Sequence, residues 1–296
     1  MKAGRMMAKQ PVDLFHAYGP VPTLPAAVAA RRMGVPLISE RYNLGHGRKA
    51  RHIWLAKIAN ATASVISVNS DAVGEVVVRD EGGRSDKLHL IRTGIPIGPA
   101  PERLTDFAVP ASDRAPLVVM CVGNCRWVKN QKMIIDSIPL VLKRFSDVEF
   151  HFVGDGPELE NLKAQAERLG VSNKVVFHGR RPDAPTLLTE ADIFALTSKA
   201  EGHSRAVLEA MQCSLPVVAT RLGGFVDEVI EGENGYLVEL GDVGALAQSF
   251  LKLLGDAELR MKMGRAGRCR VEEFFTLEKF YSRQLQLYKD LLARER

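Results

Sequence analysis

From Leu117 onward the chain alternates short β-branched runs with longer stretches of helical period. LVVMCVG precedes QKMIIDSIPLVLKRF, EFHFVG precedes PELENLKAQAERLG, and KVVFHG precedes PTLLTEA. DIFALTS then leads to SRAVLEAMQ, PVVAT to a Gly-Gly turn and a further helical piece, and GYLVEL to VGALAQSFLKLL. Runs that are apolar on both faces and are joined by amphipathic helices belong in a parallel sheet covered on both sides. The pattern predicts repeated βα units and a doubly wound α/β domain. A length of 296 residues, 46% apolar and 25% charged, suits a globular chain of two domains of about 150 residues each.

Cysteine usage and apolar runs bound the compartment. Cys121, Cys125, Cys213 and Cys269 contain no C-x-x-C pair, and a chain of this size needs no disulfides to supplement its core. The amino-terminal MKAGRMMAKQPVDLFHAYG is basic but lacks a signal-type apolar run, and no later stretch is long and apolar enough to span a bilayer. These features lead to the expectation of a cytoplasmic protein with reduced thiols. Charge is uneven: residues 1–100 hold 14 Lys and Arg against 7 Asp and Glu, and the remainder holds 26 against 28. A basic first third, including Arg48, Lys49, Arg51 and His52, is either a solvated face or a surface for an anionic partner. Without a zinc-finger spacing or an aromatic-interleaved basic stripe, nucleic acid is not the expected partner.

In doubly wound sheets, ligands bind beyond the carboxyl ends of the strands, where helix N-termini offer unpaired N–H groups. Glycine-bearing loops fall at those ends: VGNCRWVKN, VGDGP, TSKAEGHS and ATRLGG. Their convergence on one edge suggests a nucleotide or nucleotide-sugar site. GDGPEL departs from the dinucleotide fingerprint at Leu159, and G-x-x-x-x-G-K-[ST] is absent, which argues against a nicotinamide dehydrogenase and a P-loop ATPase. No D-x-D or metal-spaced histidines occur. Arg126 and Lys129, three residues apart after Gly123, could meet a diphosphate as a bidentate fork and a point charge. In KAEGHSRAVLEAM, Ser204 is an N-cap candidate, Glu201 precedes the helix and Glu209 lies one and a half turns inside it. Both carboxylates are acceptor-only groups suited to hydroxyls.

KAEGHSRAVLEAMQCSLPVVATRLGGFVDEVIEGENGYLV resembles the signature region of the retaining GT-B glycosyltransferases of family 4, the glycosyl transferases group 1, with Glu201 and Glu209 as its E-x7-E motif. VGNCRWVKNQ, FVGDGPELENL and VVFHGRRPDAPTLLTEAD are similar to the same family in the same order. The likeness runs from about Pro116 to the carboxyl end, and more weakly upstream through DLFHAYGPVPTLPAAVAARRMGVPLISERYN. It implies two Rossmann-like doubly wound domains, the N-terminal one truncated, because nothing ahead of Pro11 supplies the family's opening strand, Gly-rich loop and helix. The expected divisions are 1–110 for an acceptor-side domain, 111–275 for a nucleotide-sugar-binding domain, and 276–296 for a helix returning to the first.

The resemblance also implies roles. Arg126 and Lys129 would hold the donor diphosphate beside Gly123, Glu201 would contact the transferred sugar, and Glu209 the ribose. Gly202, His203 and Ser204 would offer backbone N–H groups, and His16 would stand on the acceptor side as a second catalytic residue. Asn124 occupies the usual first arginine position, so Arg126 takes over that task. Ser214 replaces a common glycine at a turn that should accept it. The implied function is retaining transfer from a nucleotide sugar, without metal or other cofactor, to a glycan or lipid-linked acceptor in polysaccharide or glycolipid assembly. The alternative is a truncated nucleotide-sugar-binding fragment, or a subunit completed by a partner chain. The basic first hundred residues suit peripheral association with the inner face of an anionic membrane, and His178 to Asp183 is a candidate base-contacting segment.

Overall fold

The computed structural model describes residues 12–45, 49–98 and 116–294. Arg48 and the expected division between residues 110 and 111 lie outside them. The chain forms two compact units. The first takes the described residues up to Gly94, the short stretch Glu201–His203, and the chain from Thr276 onward. The second takes the described residues from Ile95 to Ala200 together with Ser204–Phe275.

The described strands of the first unit are β1 (Phe15–Tyr18), β2 (Leu37–Arg41), β3 (Val65–Val68) and β4 (Leu88–Leu90), all parallel and ordered as in sequence. Helices Pro20–Met33, Ala50–Thr62 and Asp71–Arg79 make the crossovers. Proline at the start of the first needs no N–H partner there, and Gly34, at φ 67°, closes it in the left-handed region. Ser70 caps the third by accepting from Val73 N–H. Leu287 and Leu291 of the last helix, Leu277–Arg294, pack with Ile38, Val65 and Ile91. A second small cluster joins Phe15, Ala17 and Leu37 to Ala26, Ala29 and Ala30.

Polar groups fill much of the space between these clusters. The Arg41 guanidinium, fully buried, donates to Glu81 Oε2 (3.1 Å), Asn60 Oδ1 (2.7 Å), Ser39 Oγ (2.7 Å) and the Glu40 carbonyl (3.0 Å). Asn60 Nδ2 in turn donates to the Glu81 carbonyl, and Ser39 Oγ lies 2.6 Å from Thr23 Oγ1. A buried charge persists only when its donors are met in this way.

The second unit is a parallel sheet of β5 (Leu117–Val122), β6 (Val148–Val153), β7 (Val175–Gly179), β8 (Ile193–Leu196), β9 (Val217–Thr220) and β10 (Gly235–Val238). Their spatial order is β10-β9-β8-β5-β6-β7. The chain therefore winds outward from β5 through β6 and β7, then returns to β8 on the other side and winds the opposite way. One apolar cluster runs through the whole unit, from Val119 and Phe150 to Phe250, Met263 and Phe275. Two-sided winding, with a reversal of strand order between β5 and β8, belongs to this unit; the described strands of the first run in one direction. Among the described residues no helix is long and apolar enough to cross a membrane.

Candidate functional site

In doubly wound sheets ligands bind beyond the strand ends at a reversal of strand order, and here that reversal falls between β5 and β8. The loops after these two strands are VGNCRWVKN and TSKAEGHS. After Gly123 the chain makes a single 3-10 turn, Trp127–Lys129, and Asn130 at φ 52° turns it into the helix Gln131–Leu142. Asparagine is among the few residues with a side chain that tolerate this left-handed conformation. Gln131 Nε2 donates back to the carbonyls of Asn124 (3.1 Å) and Gly123 (3.4 Å), closing the loop on itself.

The two loops are tied to each other. Thr197 Oγ1 donates to the Asn130 carbonyl (2.9 Å), Lys199 N–H donates to the Val128 carbonyl (2.7 Å), and the Lys199 ammonium lies 3.8 Å from the centre of the Trp127 ring. The loop after β6 joins them: Cys125 N–H donates to the Asp155 carbonyl and Glu158 N–H to the Cys125 carbonyl. Gly154 and Gly156 permit that approach, since a Cβ would fall 2.1 Å from the Gly123 oxygen and 2.4 Å from the Cys125 oxygen. The glycines of GDGP therefore serve loop packing. Arg126 is exposed and Lys129 half-buried on this loop, with the Lys129 stem 3.9 Å from where a Gly123 Cβ would sit.

Ser204 caps the helix Arg205–Gln212 by accepting from Val207 N–H. Its own N–H, expected to face a ligand, instead donates to Glu228 Oε1 at 2.7 Å. The N–H groups of Arg205 and Ala206 are the ones at the open first turn. Glu209 is half-buried and receives Arg205 Nη2 at 3.3 Å; burial raises its pKa against the opposing pull of Arg205. Glu201, Gly202 and His203 belong with the first unit. There Gly202 lies on the turn after β2, where a Cβ would come 2.4 Å from the Tyr42 oxygen.

His16 has a different setting. Its side chain, on β1, is 9% exposed, and Nε2 lies 2.8 Å from Glu40 Oε2, out of line for a hydrogen bond. Nδ1 is 2.7 Å from Tyr288 Oη, which accepts from Gln284 Nε2 at 2.7 Å. The ring also stacks on Tyr18 at 4.6 Å. These contacts make His16 a clamp between the first strand and the last helix.

A model of the family "Glycosyl transferases group 1" matches residues 102–270, and one of "Glycosyltransferase Family 4" matches residues 1–98. The chain belongs to the glycosyl transferases group 1. Among its relatives is the N-acetyl-alpha-D-glucosaminyl L-malate synthase of Bacillus anthracis, 31% identical over 187 residues, or 63% of this chain and 48% of that protein. The GDP-mannose-dependent alpha-(1-6)-phosphatidylinositol monomannoside mannosyltransferase of Mycolicibacterium smegmatis is 36% identical over 160 residues, 51% of this chain and 42% of that one. The chain thus spans about half the length of the curated relatives it matches. Among solved structures, HepE of Anabaena in complex with UDP superposes with a TM-score of 0.86, at 25% identity, over 99% of this chain and 81% of that one. The architecture is accordingly that of the GT-B glycosyltransferases.

Sequence reasoning missed Glu228, which is fully buried at the end of the short helix Phe225–Glu228 after β9. Phe225 and Val229, three residues before and one after it, are also buried. That helical spacing was a legible sign that Glu228 points inward. It also missed the Trp127–Lys199 pair, which no spacing announces. Thiol chemistry is disfavoured here: Cys121 is pushed up to about 12 and Cys125 upward, in both cases chiefly by burial. In the His178–Asp183 segment, Arg181 forms a two-pronged pair with Asp183 and draws its carboxyl down to about 2. Ser214 adopts φ 56°, a left-handed conformation that glycine takes without strain.

Proposed function

We propose that this chain transfers a sugar from a nucleotide-sugar donor to a glycan or lipid-linked acceptor, with retention of anomeric configuration, in the assembly of cell-surface polysaccharide or glycolipid. The observation that carries this reading is the locking of the loops after β5 and β8 over the one reversal of strand order among the described strands. That arrangement presents Arg126, Lys129 and the open first turn of Arg205–Gln212 from one edge of one sheet. A nucleoside diphosphate is the chemical group that two cations and a helix N-terminus suit best.

In this reading Arg126 and Lys129 meet the charge that develops on the departing diphosphate, so no metal is required for leaving-group stabilisation. Gly123 leaves room beside the Lys129 stem, and Arg205 and Ala206 N–H groups add the helix-terminal field. Glu209 accepts from the ribose and Glu201 from the transferred sugar. The names of the relatives, which describe glycosyl transfer, and the UDP bound by HepE support this reading. An anionic lipid-linked acceptor at the inner membrane face suits the basic first hundred residues.

The test is a panel of nucleotide sugars read by thermal shift, since a ligand that binds only the folded state raises apparent stability with its affinity. One sugar nucleotide should raise the melting temperature, Arg126→Ala with Lys129→Ala should remove that shift, and Glu201→Ala should keep it while abolishing transfer. Proton couplings at the anomeric centre of the product report retention or inversion. A panel without any stabilising nucleotide sugar overturns the reading. Binding without transfer, whichever acceptor is added, selects the non-catalytic donor-binding subunit instead.

A further inference from the structure

Two neighbouring helices of the first unit carry apolar groups on the side opposite their core, and these are unexplained by the donor site. In Pro20–Met33 the buried positions are Thr23, Ala26, Ala29 and Ala30. The opposite stripe is Val21, Pro25, Val28 and Arg32, all exposed, with Val21 at 62% and Val28 at 51%. In Ala50–Thr62, which packs against the first helix, the buried positions are Ala56, Ala59 and Asn60. At 100° per residue, the opposite stripe is Trp54, Ile58 and Ala61. Trp54 is 62% exposed, and the exposed Arg51 and Lys57 flank it. Each helix therefore carries exposed apolar side chains away from its core, Val21 and Val28 on the first and Trp54 on the second.

The charge around these stripes is one-sided. Between Asp13 and Asp71 the only acidic residue in the sequence is Glu40, whereas Arg31, Arg32, Lys49, Arg51 and Lys57 are exposed cations and Arg41 is buried against Glu81. Glu40 does not offset the exposed cations, because its carboxylate lies within 2.8 Å of the His16 ring and is 14% exposed. A solvated face would carry interspersed acids and no outward tryptophan. Cations beside an exposed indole and small aliphatics match the headgroup region of an anionic bilayer, where indole sits at the interface and lysine and arginine meet lipid phosphates.

We infer that the outward faces of Pro20–Met33 and Ala50–Thr62 form a docking surface for an anionic lipid bilayer, with Trp54 inserting at the headgroup level and Arg31, Arg32, Arg51 and Lys57 contacting the phosphates. The inference deepens the membrane association proposed above and uses none of the residues assigned to the donor, so its failure is distinguishable from failure of the transfer reading.

The full chain is sedimented with phosphatidylcholine vesicles, with and without phosphatidylglycerol, in the absence of any nucleotide sugar. Binding should require the anionic lipid and weaken with salt. Arg51→Glu with Lys57→Glu should lower partitioning at least about tenfold, and Trp54→Ser should lower it similarly, whereas Lys163→Glu in the second unit should leave it unchanged. Far-UV circular dichroism and melting temperatures confirm that each variant is folded. The chain has 2 tryptophans, so Trp127→Phe leaves Trp54 as sole reporter, and its emission should move to shorter wavelength on adding anionic vesicles. Unchanged partitioning of the charge-reversed variant, equal binding to neutral vesicles, or an emission that does not move overturns the proposal. So does retention of an RNA oligomer, with no vesicle binding, through the same cations.

Discussion

In the second unit Phe150, Phe194, Phe225 and Phe250 are fully buried within one apolar cluster, whereas the bulkiest fully buried side chain of the first unit is Arg41. The second holds its sheet by dispersion and burial, which are non-directional, so its four strand-end loops are free to carry chemistry. The first adds to its smaller apolar clusters a set of directed bonds from one guanidinium to Glu81, Asn60 and Ser39. Such a network adds little net stability over an apolar filling, but it fixes geometry, because each displaced partner leaves an unmet buried group. Arg41 immediately precedes the turn at Tyr42 on which Gly202 lies. The difference teaches that the stretch bearing Glu201 belongs to the unit with the buried polar network, while Arg126 and Lys129, the cations proposed for the diphosphate, belong to the apolar one.

The sharpest test of that contrast is a pair of core substitutions. Arg41→Leu should cost about 3–5 kcal/mol, because Glu81 is left buried without its cation. Phe150→Ala should cost a similar ~3–5 kcal/mol through transfer and cavity. The two differ in how they are rescued: adding Glu81→Leu to Arg41→Leu should recover most of the loss in a urea titration. No rescue in that double variant would mean the network is not the organising element of the first unit.

Gly202→Ala is next in size. The new methyl would meet the Tyr42 carbonyl, and a shift of about 1 Å in a positioned group lowers turnover on the order of a hundredfold. Transfer should fall while the nucleotide-induced thermal shift is kept, which separates seating of Glu201 from donor binding. Ser204→Ala should be milder, costing about 1 kcal/mol through loss of the cap, with donor affinity reduced because the first turn frays. Equal affinity in Ser204→Ala and the parent would remove the helix start from the donor site.

The smallest effect is one of pH on the second unit. His178 is held below its ordinary value of 6.5 chiefly by burial, then by His151 and Arg181. The folded state thus binds that proton less readily than the unfolded chain does. The stability contributed is complete above pH 6.5 and is lost as pH falls through the folded value. Melting temperatures should decline on acidification below that point, and His178→Asn should decline less. Parallel slopes would assign the decline to other groups.

The βα rhythm from Leu117 onward and the positions of the loops that follow its strands were legible because buried parallel strands and amphipathic helices leave periodic patterns, and because Ser204 and the glycines carry local signals. Gly202 and Gly154 were recognisable as loop glycines, but not the backbones they approach. His16 was legible only as a histidine after an apolar strand, and its engagement with Tyr288 joins residues 272 apart in sequence. Glu228 lay within a helical spacing that implied burial, yet its acceptance of the Ser204 N–H could not be read from spacing.

The sequence by itself determined the fold class and the residue types that the strand-end loops carry, since these follow from local periodicity and strand-end composition. Only the tertiary structure decided that strand order reverses between β5 and β8, that Ser204 N–H is spent on Glu228, and that Arg41 joins Glu81, Asn60 and Ser39 in one buried network. Those outcomes depend on which distant groups meet in space, and a buried polar group binds whichever partner the packing brings to it.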